Sequence, residues 1–314
     1  RKDIASYINA EKHEIVFTSG ATESINLGIK GFVEENQKKG NHIIVPKTEH
    51  KAVLDTCSVL SNKGYQISYL DVENNGLINL DDLLSTITPN TILIAVMHAN
   101  NEIGVLQPID EIGAICSEKD ITFFVDAAQS FGKEIIDVKK SKIDMLSASG
   151  HKIYGPKGIG FLYINKSDKN IQIESLIDGG GHENGMRSGT LNVPGIVGFS
   201  EAAKISFSSL DSFKDKELAL RNHLLTNITE KLDKFEVNGD LTQRLAGNLN
   251  LSFEGVNGDA LLVGMDDIAV SNGAACSSSI KEPSYVLKAL GRNDALADAS
   301  LRIGIGRSNT KEEI

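Results

Sequence analysis

The 314 residues carry 42 Asp and Glu against 32 Lys and Arg, a net charge of −10, with 40% hydrophobic and 24% charged side chains. That length holds a large domain and a smaller one, and the composition excludes a disordered or collagen-like chain. The negative charge repels phosphate backbones and anionic lipid surfaces, so nucleic acid is not expected as a partner, and no apolar run reaches the ~20 residues of a membrane helix.

Residues 1–10 read as a helix already under way, and Arg1-Lys2-Asp3-Ile4 opens no apolar signal segment. Thr310 to Ile314 reads as a helix being started, so terminal segments are expected to be missing. A reducing cytoplasm is the expected setting. Ile15-Val16-Phe17 reads as a strand, and Thr18-Ser19-Gly20-Ala21-Thr22-Glu23-Ser24 then opens a helical pattern. Its backbone amides and the Thr22 hydroxyl can cradle a phosphate; a plain capped glycine turn is the alternative. The strand Ile43-Ile44-Val45 leads to Thr48-Glu49-His50, where an imidazole can stack on a planar cofactor, shuttle protons or be structural. A helix over Ala52 to Leu60 and a strand over Ile67 to Leu70 follow.

Ile92 to Val96 is strongly β, and His98-Ala99-Asn100-Asn101-Glu102-Ile103-Gly104 sits at its end, serving a ligand or merely turning the chain. After a helix over Ile109 to Glu118, Phe123-Phe124-Val125 places Asp126 at the carboxyl end of a buried strand. An unpaired carboxylate there is costly; a protonated ring nitrogen would partner it, and a helix cap is the plainer reading. Ser147-Ala148-Ser149-Gly150-His151-Lys152-Ile153-Tyr154-Gly155-Pro156-Lys157-Gly158 sets one lysine, Lys152, among small residues, the confined setting a Schiff-base lysine needs. Lys157, between Pro156 and Gly158, reads as a solvated turn residue. Gly160 to Ile164 closes the βα rhythm. The predicted fold is therefore α/β, a mainly parallel sheet covered by helices on both faces, with its ligands at the carboxyl ends of the strands.

From about residue 195 a long charge-rich helix is predicted to run to about Lys234, serving as the joint to a smaller α+β domain. That domain, 208–314 against a large domain of 1–207, holds Asn248 to Phe253, Ile268 to Ser271, a helix over Pro283 to Leu290 and a strand over Leu301 to Ile305. Cys57 and Cys116 fall in helical register with apolar neighbours and read as core. Cys276, in Ser271-Asn272-Gly273-Ala274-Ala275-Cys276-Ser277-Ser278-Ser279, has small polar company that leaves a thiol accessible, either as a nucleophile or as an incidental loop cysteine. No metal-ligand spacing is present, and His13, His42, His182 and His223 read as structural.

Together these segments closely resemble the cysteine desulfurases that feed iron-sulfur cluster assembly, fold-type I pyridoxal-phosphate enzymes of class-V aminotransferase type. The resemblance covers nearly the whole chain and includes Gly179-Gly180-Gly181-His182-Glu183, Gly185 to Thr190 and Glu282-Pro283-Ser284-Tyr285-Val286-Leu287, in the family's order. It implies that Lys152 carries pyridoxal 5'-phosphate, Asp126 pairs with its pyridine nitrogen, Gln129 contacts its ring oxygen and His50 stacks on the ring. Ala21, Thr22, Ser149 and His151 would hold the phosphate, joined by Thr190 from the second subunit of a homodimer. Asn101 would lie against the cofactor and substrate, and Arg302 would take the carboxylate of L-cysteine. Cys276 matches the persulfide cysteine, which would pass sulfur to a scaffold or other acceptor protein and make transient contact with a cluster. Two departures stand out: Asn272-Gly273-Ala274-Ala275 precedes Cys276 where the family has serine-glycine-serine-alanine, and the family's opening segment and C-terminal helices are absent. A selenocysteine lyase, another class-V aminotransferase or a non-catalytic sulfur-relay protein remain the alternatives.

Overall fold

Continuous β-branched and aromatic runs suit strands buried on both faces, and five of the predicted runs occupy such positions. The computed structural model describes residues 1–265, 267–272 and 282–314. The chain divides into two units, one formed by 1–70, 80–99 and 107–209, the other by 71–79, 100–106 and 210–314.

The first unit contains α1 (Lys2–Ser6), β1 (Ile15–Thr18), α2 (Ala21–Glu35), β2 (His42–Pro46), α3 (Lys51–Asn62), β3 (Gln66–Leu70), α4 (Leu80–Thr86), β4 (Thr91–Met97), α5 (Ile109–Glu118), β5 (Thr122–Asp126), β6 (Met145–Ser149), β7 (Gly160–Ile164) and α6 (Val193–Ser208). Its seven-stranded sheet has the order β1-β7-β6-β5-β4-β2-β3. From β3 to β6 every pairing is parallel, and β7 and β1 close that side antiparallel. The predicted mainly parallel sheet is thus present, with a mixed edge. The β6 strand was not legible by itself, because after Met145 and Leu146 it turns to small residues, Ser147-Ala148-Ser149.

Alternation along the strands sends side chains to two cores. Leu162 and Phe124 pack with Leu27 and Val33 of α2 and Val53, Cys57 and Leu60 of α3. Phe161 points the other way, edge-on to Phe131 at 5.2 Å, and Phe131 meets Phe199 of α6 at 5.8 Å. Such pairs add about 0.5–1.5 kcal/mol each beyond their buried area.

The predicted long helix is two helices. α6 ends at Ser208, Ser209 leaves helical geometry at φ −129°, and α7 (Leu210–Lys231) begins at the next residue. Paired serines explain the break, since the Ser208 hydroxyl donates to the Ile205 carbonyl and competes with the helical ladder. The helix at the start is also shorter than predicted, ending at Ser6, and 311–313 form a turn.

In the second unit, β8 (Phe235–Val237), β9 (Asn248–Phe253) and β10 (Ser300–Gly304) form an antiparallel sheet of order β10-β9-β8, accompanied by α8 (Gly258–Val263), α9 (Tyr285–Ala289) and α10 (Asp294–Asp298). Val286, Leu287, Leu290 and Ala297 bury Ile103 and Val105, which explains why 100–106 belongs here. Ile268 to Ser271 is not a strand: Ile268 is exposed, and Ser271 alone bridges to Arg302.

Candidate functional site

Three parallel strands of the first unit, β2, β5 and β6, and the turn after β1 carry the candidate residues at their carboxyl ends. Asp126 ends β5, whose TFFVD sequence is buried throughout, and the residue itself is only 2% exposed. Its Oδ1 accepts from the Ala128 amide at 2.9 Å and from the hydroxyl of Ser147, its register partner on β6, at 3.0 Å. Burial pushes the Asp126 carboxyl up from its ordinary range; those two bonds and the nearby charges of His50 and Lys152 pull it back. Both hydrogen bonds fall on one oxygen, so Oδ2 is left able to take a further donor, and a cationic N–H would offset the desolvation cost.

His50 caps α3, the Nδ1 of its ring accepting from the Ala52 amide at 3.0 Å. In the neutral ring this assigns the proton to Nε2. Glu49 beside it is buried, accepts from the Met97 amide, and is held well above the usual carboxylate range by burial, with Asp126 adding repulsion. No separate role was read for Glu49 from the sequence. A carboxylate three residues beyond a wholly buried strand was the available signal.

After β6 the chain makes a 3-10 turn over Gly150–Ile153 and enters left-handed geometry at Tyr154, φ 64°. Lys152, within this turn, is half-buried, whereas Lys157 is exposed in the following turn. Ser149 Oγ lies 2.8 Å from His151 Nδ1. Burial first, then the charges of Lys152 and Lys157, lowers the His151 pKa, favouring the neutral ring. Gly20, at φ 154°, is the N-cap of α2 and makes no side-chain cap bond; a Cβ there would lie 3.7 Å from Ser149 Oγ. Gly160 permits this approach, because a Cβ on it would fall 2.5 Å from the Ala148 carbonyl and 2.7 Å from Gly20 Cα. Gly20, Ser149 and His151 are therefore neighbours at the positive end of a 15-residue helix.

Gln129 is half-buried just beyond Asp126, with Lys133 Nζ 3.4 Å from its Oε1. Thr190 is exposed. Thus the first unit holds Ala21, Thr22, His50, Asp126, Gln129, Ser149, His151, Lys152 and Thr190, while Asn101 and Arg302 belong to the second. There Arg302 Nη1 donates to the Asn101 carbonyl at 3.3 Å, and Asn101 Oδ1 is buried without a hydrogen-bond partner among the described residues. Neighbouring Glu102 is buried, and burial pushes it up to about 7 against the opposing effects of Ser284 and Arg302. Cys276 lies outside the described residues. Cys57 and Cys116 are fully buried, and burial pushes both thiols up to about 12, which leaves them inert as nucleophiles.

Among the described residues no cluster of three or more metal-ligating side chains occurs, and no helix is long and apolar enough to cross a membrane.

Comparison with known proteins adds a family. The model of the family described as aminotransferase class-V matches residues 1–314. The chain is 52% identical over 314 residues to the cysteine desulfurase IscS of Vibrio vulnificus (strain YJ016), covering all of this chain and 77% of that protein, and equally to that of Ehrlichia chaffeensis. Among solved structures it is similar to a NifS-like protein, with a TM-score of 0.91, 35% identity, and coverage of 99% of this chain and 82% of that one. A second similar structure is SspA in complex with cysteine, with a TM-score of 0.85, 39% identity, and coverage of 98% and 86%.

Proposed function

The chain belongs to the aminotransferase class-V family, and from that premise we propose that it is a pyridoxal-phosphate-dependent cysteine desulfurase. It would convert L-cysteine and the Cys276 thiol into L-alanine and a Cys276 persulfide. The observation that carries the cofactor reading is Asp126, a buried carboxylate with one oxygen bonded and the charges of His50 and Lys152 close by. The phosphate cradle at Gly20, Ser149 and His151 supports the same fit. The cysteine desulfurase reading draws on the 52% identity to relatives of that name and on likeness to a structure described as a complex with cysteine.

In this reading Asp126 would partner the ring nitrogen, His50 the ring and Gln129 the ring oxygen, while Ala21, Thr22, Ser149 and His151 would hold the phosphate. When bound, the cofactor supplies a sink for the electron pair left by a broken Cα–H bond. Lys152 would anchor the cofactor and, once free, take the Cα proton of the substrate, and the Asp126 carboxylate would hold the ring nitrogen protonated. Arg302 receives the substrate carboxylate through its guanidinium fork beside Asn101. The thiolate of Cys276 would attack the substrate sulfur as the Cβ–S bond breaks, the electron pair of that bond staying with the carbon fragment, which takes up protons to become alanine; His50 Nε2 would donate or accept a proton in that exchange. Alanine leaves, and sulfur passes from Cys276 to a scaffold or other acceptor protein. A second copy of the chain completes the phosphate site through Thr190; exposure of Thr190 and of Val193 and Val197 on α6 supports such a homodimer. A reducing cytoplasm keeps the Cys276 thiol available.

The test is to load the protein with pyridoxal phosphate, add L-cysteine, and mass-analyse the Cys276 peptide for an added sulfur while assaying alanine. The Cys276→Ala variant should keep the cofactor absorbance and lose both products. Undiminished alanine formation in that variant overturns the assignment.

A further inference from the structure

The sequence between Ser271 and Ser284 carries Cys276, and the described residues at both ends of that stretch are tied to one turn. Ser284 caps α9, its Oγ accepting from the Leu287 amide at 3.2 Å, and the same hydroxyl donates to Glu102 Oε2 at 2.5 Å. Ser271 exchanges backbone bonds with Arg302, whose side chain donates to the Asn101 carbonyl and whose charge acts on Glu102. The turn that receives these contacts is itself braced. Asn100 Oδ1 accepts from the amides of Glu102 and Ile103 at 2.8 and 3.0 Å, and the side chains of Asn248 and Asn250 donate to the Glu102 carbonyl at 3.3 and 3.2 Å.

The Ser284 oxygen caps α9 without any help from Glu102, so the bond to the carboxylate is an additional constraint. Glu102 is 4% exposed and Ser284 5%. A buried carboxylate is costly to keep, and an apolar side chain in its place would not carry that cost. What the carboxylate adds is direction, since hydrogen bonds to ionised groups are both stronger and geometrically demanding.

We propose that Glu102 is a positioning residue for sulfur transfer: by holding Ser284 from a braced turn whose Asn101 carbonyl accepts from Arg302, it sets one end of the Cys276-bearing stretch and steadies the guanidinium that takes the substrate carboxylate. It touches neither the substrate nor the transferred sulfur. The inference rests on the desulfurase reading of Cys276 and Arg302.

The experiment uses the full chain loaded with pyridoxal phosphate, comparing the parent with Glu102→Gln, Ser284→Ala and Ser284→Thr. Single-turnover persulfide formation on Cys276, KM for L-cysteine, the cofactor absorbance and Tm are measured. Misplacement of reacting groups by about 1 Å costs on the order of a hundredfold in rate, so losses of about tenfold or more are expected. Ser284→Ala should slow persulfide formation while KM stays within about twofold; Glu102→Gln should slow it and also raise KM about tenfold; Ser284→Thr should restore the rate. Rates within about twofold of the parent for both Ser284→Ala and Glu102→Gln overturn the proposal. So does a slow Ser284→Thr variant whose Tm matches the parent. Should Glu102→Gln fail to fold, the Ser284 pair decides alone. A parent that forms no persulfide on Cys276 defeats the desulfurase reading itself, whereas an active parent with unaffected variants defeats only the role of Glu102.

Discussion

Asp126 and Glu102 show how burial turns an ordinary carboxylate into a chemically poised one. For Asp126 the sequence already held the signal, because three bulky apolar residues in a row can only lead a carboxylate into an interior. Glu102 follows a polar pair, Asn100-Asn101, and nothing local distinguishes it from a turn residue. Its burial arises from α9 and β9, far along the chain. With its carboxyl pushed up to about 7 from 4.5, Glu102 takes up a proton more readily folded than unfolded. Its contribution to stability is therefore full below about pH 4.5 and is lost as pH rises through about 7. Relative to Glu102→Gln, the parent should lose roughly 3 kcal/mol of unfolding free energy between about pH 4.5 and pH 8, at about 1.4 kcal/mol per pKa unit. Urea unfolding of the two proteins across that range checks this, and parallel curves would count against it. Cys276 was legible only through its company and its family resemblance, and it lies outside the described residues.

At the scale of elements, apolar periodicity carried most of the fold. Ile109–Glu118 and Asn248–Phe253 form the predicted helix and strand with the predicted bounds. It failed where side chains are small or where two serines interrupt a helix, at β6 and at Ser209. The β6 strand matters most among these, since it supplies Ser147 to Asp126 and Ser149 to His151, in the group proposed to hold the phosphate. Its neighbour β7 can pass α2 only because residue 160 has no side chain. Gly160→Ala must push Gly20 or the Ala148 carbonyl aside, and overpacking of this kind costs about 1–3 kcal/mol. The expected result is a lower Tm together with weaker retention of pyridoxal phosphate, read by dialysis and absorbance. A variant with the lower Tm and full cofactor retention would show that Gly20 does not shape the cradle.

At the scale of the molecule, the mainly parallel sheet read from the sequence is present. Sequence distance hid the membership of 71–79 and 100–106 in the second unit. Val193 and Val197 lie one turn apart on α6 and are 59% and 62% exposed. Val197→Asp places a charge where the homodimer reading puts an apolar contact, so sedimentation should show about half the parent's mass. An unchanged mass would place the subunit contact elsewhere.

The second unit has a history as well as a structure. Ile103 and Val105 find their cover on Val286, Leu287 and Leu290, and Ile103 precedes Val286 by 183 positions. At a synthesis rate of ~5–20 residues per second, that turn waits on the order of ten to forty seconds on the ribosome before its partners exist. The first unit can complete its sheet during that interval, whereas the turn bearing Asn101 and Glu102 is among the last parts of the protein to become native.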